Sequence, residues 1–141
     1  EIVVFLLMHK IYGHVSYKLV LLISLFLAAI RWYVTGNYAD VFWLLVLMQL
    51  THAATFGAMH AVSMHYIHRF FKGRHQGSGQ AFFSSFTYGA GGALGAYASG
   101  LLWASDNGVS MFEWAAASAL LGAVIALIFV TDGPATKSPK E

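Results

Sequence analysis

The sequence predicts an all-α protein built as a multi-pass bundle of transmembrane helices. Hydrophobic residues make up 58% of its 141 residues, charged residues make up only 10%, and the mean hydropathy is +0.64. Soluble domains carry about a quarter charged residues because their surface must be wetted. Apolar segments long enough to cross a bilayer, which takes roughly 17 to 25 residues, also recur along the chain. We therefore expect a membrane protein whose outer surface is apolar.

Four full helices and the end of a fifth account for most of the chain. The opening "EIVVFLLM" is apolar but too short to cross alone, and it begins with Glu1 instead of methionine, so we expect a fragment with a partial span over about 1–8. Asp40 is the expected N-cap of the second full helix, since Asp favours that position. The tail at 132–141 is expected to be disordered and cytoplasmic. The full spans are expected at about 19–35, 41–67, 79–103 and 111–131, which gives one transmembrane domain over 1–131.

Basic residues alternate between the loops and so predict the topology. The loops "GNYAD" and "ASDNGVS" contain no Lys or Arg, whereas the first loop, the third loop and the tail do. Since Lys and Arg favour the cytoplasmic side, we expect a multi-pass protein of the plasma (inner) membrane with a cytoplasmic C-terminus. The net charge is +2, and the basic residues are dispersed along the membrane borders, which argues against a nucleic-acid partner. The residues concerned are Lys10, Lys18, Arg69, Lys72, Arg74, Lys137 and Lys140.

A polar stripe follows one face of the span at 41–67. At about 100° per residue, its members fall within a sector of roughly 80°. His52 lies about midway along the span, where an ionisable side chain is costly and usually faces a cavity or a partner. Two interpretations stay open: the histidines line an aqueous cavity, or they are hydrogen-bonding links between helices. The stripe consists of Gln49, His52, Phe56, His60 and Ser63.

Polar and small residues also share one face of the span at 79–103. They recur at steps of three and four residues, which is the spacing of a helix face. Within "GAGGALG", the GxxxG spacing from Gly91 to Gly95 is typical of close helix packing, with a direct ligand contact as the alternative. Leu94 stands where a dinucleotide-binding fingerprint needs glycine, so we exclude a nucleotide fold. The face consists of Gln80, Ser84, Tyr88, Gly91, Gly95 and Ser99.

Three ionisable residues need separate interpretation. Glu1 would lie ~12 Å above the first loop, near mid-depth of a ~30 Å core, and is a candidate acid for carrying protons. Arg31 lies beyond the middle of the first full span, where it either snorkels to the interface or lines a cavity. Glu113 follows Ser110 at the spacing of a capping box, so we expect this pair to begin the last helix.

Seven histidines in a short chain also raise the alternative of a His-ligated metal or haem protein inside the membrane. The spacing is unfavourable, because His52 and His60 lie ~12 Å apart along a helix, too far for one ion. His65 and His68 are close enough, but they lie at the membrane border without a nearby carboxylate. The chain has no cysteine, which excludes thiolate sites. We therefore expect no metal and no cofactor.

Three stretches follow one another along the chain: "LAAIRWYVTG", then "QLTHAATFGAMHAVSMHYIHRFF", then "GSGQAFFSSFTYGAGGALGAYASGLLW". Together they resemble the closing part of major facilitator superfamily transporters, in the group related to phenylpropionate permeases and to nucleoside and sugar proton symporters. The resemblance covers nearly the whole chain except the tail. It implies a twelve-helix carrier of which this chain is the partial C-terminal half, from the end of helix eight through helix twelve. It also implies a membrane acid at Glu1, a cavity-facing His52 and a basic loop at Arg69, Lys72 and Arg74.

The resulting functional prediction is a secondary active transporter and not an enzyme. It would move a small organic solute, such as an aromatic acid, by proton-coupled alternating access around a site near the bilayer midplane. Glu1 would carry the proton, His52 would bind substrate or relay the proton, and aromatic rings would face a flat substrate. The expected partners are the substrate, protons, lipid and the missing N-terminal half of the carrier. The alternatives are the metal or haem protein and a structural membrane fragment without transport. The predicted substrate-binding or proton-coupling residues are Glu1, His52, Phe56, His60, Gln80, Tyr88 and Arg31.

Overall fold

The all-α prediction is confirmed for the part of the chain that the structure describes, residues 15–106 and 108–131. The structure is a computed structural model, and no β-strand occurs within those residues. Short connections join the helices, so neighbours in sequence are also neighbours in space. The elements are α1 (Tyr17–Asn37), α2 (Phe42–Phe70), a 3₁₀ turn (Gly73–His75), α3 (Gln76–Ser84), a π-helical segment (Ser85–Ala90), α4 (Gly91–Asp106) and α5 (Val109–Phe129).

Three of these helices are long and apolar enough to cross a membrane, namely α1, α2 and α5. They contain 21, 29 and 21 residues, so each is at least as long as a ~30 Å hydrocarbon core at ~1.5 Å per residue. The span expected at 79–103 falls in α3, the π-helical segment and α4, which contain 9, 6 and 16 residues. Its crossing of the membrane stays a prediction. The partial span at 1–8, with Glu1, and the tail at 132–141 lie outside the described residues.

Helix α1 lies between α2 and α5 and runs antiparallel to both. On the α2 side, Val20 of α1 packs against Ala58 and Val62, and Val62 is completely buried. On the α5 side, a Cβ built on Gly36 would lie 2.5 Å from Phe112 Cβ, and one built on Gly122 would lie 3.7 Å from Leu25. Small residues at these contacts let the helix backbones approach closely, which is the usual way that membrane helices pack.

The helix starts differ from those that the sequence predicts. Asp40 does not cap α2, because the residue before its first turn is Val41 and no side chain accepts a hydrogen bond there. The predicted capping box at Ser110 and Glu113 is also wrong, since the N-cap is Gly108, with φ +89°, and α5 begins at Val109. The left-handed Gly108 turns the chain sharply against the Trp103 ring, where any side chain would clash. Conversely, Ser16 caps α1 by accepting from Leu19 N–H at 3.2 Å, which the sequence analysis missed.

The helical region 76–106 differs from α1, α2 and α5 because it contains a wider, π-helical segment in its middle. In the π-helical segment, the Gly91 N–H donates to Phe86 O, five residues earlier. Such a turn contains one extra residue. The side chains that follow it are therefore rotated about the helix axis by about 100° relative to their positions in an unbroken α-helix. The stripe predicted from Gln80 to Ser99 therefore does not keep one face. A Cβ built on Gly95 meets nothing within 4 Å, so no described residue packs against the second glycine of the predicted packing motif.

The two ends of the bundle carry opposite charge among the described residues. The end where α1 begins and α2 ends carries Lys18 and the basic loop that follows α2, whereas Asp40 and Glu113 lie at the other end. Lys18 Nζ donates to Leu127 O at 2.7 Å and so joins the first turn of α1 to the last turn of α5. The last carbonyl groups of a helix lack partners within the helix, and a cation there also suits the helix dipole.

Replacing Gly36 by alanine should destabilise the bundle, because the new Cβ would overlap Phe112 where α1 and α5 are closest. The expected cost is about 1–3 kcal/mol, the usual range for overpacking. Gly122→Ala is the matched control, since its Cβ would make an ordinary contact with Leu25, and it should be neutral or stabilising. Thermal unfolding in a mild detergent measures both. Equal stability of the two variants would contradict the close approach at Gly36.

Replacing Lys18 by methionine should loosen the last turn of α5, because Leu127 O loses its charged donor. Hydrogen–deuterium exchange of the amides near the end of α5 should become faster, while amides near Phe112 keep their rate. Lys72→Met is the control, since it removes a lysine from the exposed loop at the same end of the bundle. Unchanged exchange in Lys18→Met would show that this hydrogen bond does not hold α5.

Candidate functional site

A groove with a volume of about 330 Å³ lies over α1, between α2 and α5. It forms because α2 and α5 pack on different sides of α1 and leave a space between them. Helix α1 forms the floor of the groove. Some of its side chains there are small, so the groove reaches down to that helix. The lining residues are Ser24, Leu25, Ala28, Arg31 and Trp32 of α1, His52, Thr55, Phe56 and Met59 of α2, and Ala115, Ser118 and Ala119 of α5.

Arg31 is the only Lys or Arg among the residues that line this groove. It lies ~9 Å along α1 from Asn37, which places it well inside the apolar part of the helix. The residue is only 7% exposed, and its Nε is buried without a hydrogen-bond partner in the described part of the chain. Its guanidinium carbon lies 4.0 Å from the centre of the Trp32 ring, in a cation–π contact. Of the two interpretations left open by the sequence, the geometry favours the cavity over the interface.

The wall from α2 contributes an imidazole and an aromatic ring. The centres of the His52 and Phe56 rings lie 5.6 Å apart, so the two side chains follow one face of α2 one turn apart. The hydroxyl of Thr55 donates within its own helix, to Thr51 O at 3.0 Å and His52 O at 3.2 Å. His52 and Arg31 are thus the ionisable side chains that this groove presents.

Three other predicted residues, His60, Gln80 and Tyr88, lie outside the groove, at contacts between α2 and the region 76–106. His60 Nδ1 and Tyr88 Oη lie 3.2 Å apart, and the His60 ring stacks on Phe56 with centres 6.3 Å apart. His68 Nε2 and Gln80 Nε2 lie 2.7 Å apart. His60 therefore makes a link between helices, as the second interpretation of the polar stripe proposed. A series of neighbouring rings connects the groove at His52 to the π-helical segment at Tyr88.

The structure thus brings together three of the seven predicted residues, Arg31, His52 and Phe56, in one groove. It pairs Tyr88 with His60 and Gln80 with His68 elsewhere. Glu1 lies outside the described residues.

Sequence reasoning missed the contribution of α5 to the groove. Ser118 lines it together with Ala115 and Ala119. The sequence did contain a signal for this face: small and partly polar residues recur at i, i+3 and i+4 in a helix whose other side chains are mostly large and apolar. The Ser118 hydroxyl donates to Trp114 O at 2.8 Å, so its proton is used within α5 and its oxygen remains as an acceptor.

The groove combines features of a site for an organic anion. It offers a buried cation, an imidazole and two aromatic rings in an otherwise apolar space. Within residues 15–106 and 108–131, no three His, Cys, Asp or Glu side chains come close enough together to hold a metal ion.

Comparison with known proteins supplies the family. The chain matches the MFS_1 like family over residues 1–114. It is also similar to the "Probable 3-phenylpropionic acid transporter" of Escherichia coli (strain K12), with 34% identity over 67 residues, which is 48% of this chain and 17% of the length of that protein. No solved structure matches the chain significantly. The family match covers most of the chain, and three of its described helices are long and apolar enough to span a bilayer, so the chain belongs to the MFS_1 like family.

Proposed function

We propose that this chain forms part of a proton-coupled secondary active transporter for a small organic acid that carries an aromatic ring. The observation that supports the proposal is Arg31, a buried cation whose Nε has no partner in the described residues and which lines a groove beside aromatic rings. The similar protein from E. coli is named for 3-phenylpropionic acid, which has this chemistry.

The carboxylate would bind at Arg31. A charge inside a membrane bundle is costly, and a buried donor without an acceptor adds about 1–3 kcal/mol or more. An anion in the groove removes this cost, because guanidinium groups bind carboxylates through two parallel hydrogen bonds. Trp32 covers one face of the guanidinium, which leaves its N–H edge for the ligand.

The aromatic part of the substrate would pack between Trp32 and Phe56. Rings prefer offset or edge-to-face neighbours, and the groove has one aromatic side chain on α1 and another on α2. Its volume of about 330 Å³ suits a substrate of this small size, since pockets for small molecules begin at ≈ 300 Å³.

The remaining predicted residues would act in coupling and movement. His52 lies in the groove, where an imidazole can bind the substrate or pass on a proton. Glu1 would carry the proton. His60 with Tyr88, and Gln80 with His68, would hold the region 76–106 against α2 while the halves of the carrier rock about the site.

Arg31→Met should abolish discrimination between an acid and its neutral amide. In the whole transporter, we expect wild type to bind 3-phenylpropionate more tightly than 3-phenylpropionamide, and Arg31→Met to bind the acid about 10- to 150-fold more weakly, the equivalent of one charged hydrogen bond. Arg31→Lys should keep part of the preference because the charge remains. Calorimetry or ligand-dependent thermal stabilisation in detergent measures these affinities.

Arg74→Met is the control for this experiment, since it removes an exposed arginine far from the groove and should leave the preference unchanged. If Arg31→Met still prefers the acid as strongly as wild type does, the carboxylate binds elsewhere. If it unfolds instead, Arg31→Lys still reports on the site through its reduced preference.

Glu1→Gln and His52→Ala should alter the response of uptake to pH. A glutamine cannot carry a proton, so proton-driven accumulation should be lost while exchange of substrate across the membrane continues. His52→Ala should lower uptake at every pH by removing a group that lines the groove. Uptake into proteoliposomes that contain the whole transporter measures both, with Glu113→Gln as the control for loss of an exposed carboxyl group. Wild-type uptake across pH in both variants would show that neither residue has the proposed role.

A further inference from the structure

Residues 69–75, which comprise the end of α2 and the loop that follows it, carry three cations within six positions, Arg69, Lys72 and Arg74. All three side chains are exposed, and none forms an ion pair with another described residue. This basic loop includes the 3₁₀ turn and joins α2 to α3. Its cations therefore remain available to bind an external anion.

Packing holds the basic loop in one shape. The ring of Phe71 lies directly over Gly79, where an added Cβ would come within 2.6 Å of ring carbons. His68 and Gln80 close the loop from the other side, with their nitrogens 2.7 Å apart. Gly73 takes φ +58° at the turn itself, a conformation that favours glycine. A loop fixed in this way loses little conformational freedom when it binds a ligand.

No described carboxylate lies near these cations. Asp40 precedes α2 and Glu113 lies just after the first turn of α5, so both are at the opposite end of the bundle. Lys18 lies at the same end as the loop but already donates to Leu127 O. The local charge of the loop is therefore strongly positive and is not balanced within the described chain.

An exposed aromatic residue lies within the same loop. Phe70, between Arg69 and Phe71, is 77% exposed and ends a helix that is long and apolar enough to span a membrane. The end of a membrane-spanning helix lies near the lipid headgroups, and an exposed apolar ring there gains by contacting the upper parts of the acyl chains instead of water. Phe70 and the neighbouring cations together match an amphiphile whose head is anionic and whose tail is apolar.

We propose that the basic loop binds the phosphate of an anionic phospholipid from the surrounding bilayer. The two arginines offer forked N–H groups to the phosphate oxygens, Lys72 adds a third charge, and Phe70 packs against the acyl chain. A juxtamembrane Lys or Arg gains about 1 kcal/mol from anionic lipid, which corresponds to roughly five-fold in binding for each charge. The groove takes no part in this binding.

Native mass spectrometry of the whole transporter tests the proposal by counting bound lipids. Purified protein is titrated with phosphatidylglycerol or with phosphatidylcholine that has the same acyl chains. Wild type should retain phosphatidylglycerol preferentially, and each of Arg69→Gln, Lys72→Gln and Arg74→Gln should weaken that retention about five-fold. The triple variant should show no preference between the two lipids. Millimolar inorganic phosphate should not displace the lipid, because it lacks the acyl chains.

Two further variants separate charge from hydrophobic contact. Arg69→Lys with Arg74→Lys preserves the charge and should keep most of the lipid preference, whereas Phe70→Ala should weaken retention of both lipids to the same degree. Circular dichroism tests whether each variant is folded. If the triple variant does not fold, the single charge variants test the proposal. The proposal is overturned if wild type has no preference, if the charge variants keep it in full, or if inorganic phosphate alone competes.

Discussion

The position of α1 between α2 and α5 determines the rest of the site. Gly36 and Gly122 lie at its contacts with α5, and Ala58 lies at its contact with α2, so the backbones come close on both sides. With α2 and α5 held on different sides of one helix, the space between them opens above α1. That space is the groove, and Arg31 is the charged side chain within it. A bulky residue at either contact would move a wall of the site, even though the residue itself lies outside the groove.

The contacts of α2 divide into two groups with different functions. Toward α1 it presents small and apolar residues together with the His65 ring, which stacks on Tyr17, and this packing stabilises the bundle. Toward the region 76–106 it presents imidazoles, which bond to Tyr88 and Gln80 through single polar contacts. Hydrogen bonds of this kind between membrane helices contribute modestly, about 0.6 kcal/mol on average, so they can break and form again at little cost. Beyond the packing of Phe71 on Gly79, the region 76–106 is accordingly held against α2 by weak links, while α2 and α5 are held against α1 by close packing.

Sequence reasoning predicted the fold class and identified three of the side chains that line the groove, but it could not place them relative to one another. Composition and helix length are properties of each segment, so the apolar helices could be found from the sequence. Whether Arg31 reaches the membrane interface or lines a cavity depends on which helices flank α1. The spacing of residues along one helix carries no such information. The same limit applies to His52 and His60, which share a stripe yet contact different neighbours. The capping box at Ser110 and Glu113 was mistaken because Gly108 starts α5 by turning the chain against Trp103, a contact made only after folding.

The wider turn at Ser85–Ala90 has a consequence for how this part of the molecule can move. A helix that contains one surplus residue can pass the surplus to an adjoining turn by exchanging a few backbone hydrogen bonds, without unwinding. Each such shift swivels the side chains that it crosses by nearly a third of a circle while the axis stays in place. The stretch from Tyr88 through the glycines could therefore change which groups it presents to its neighbours by internal rotation, with no hinge and no loss of helical structure.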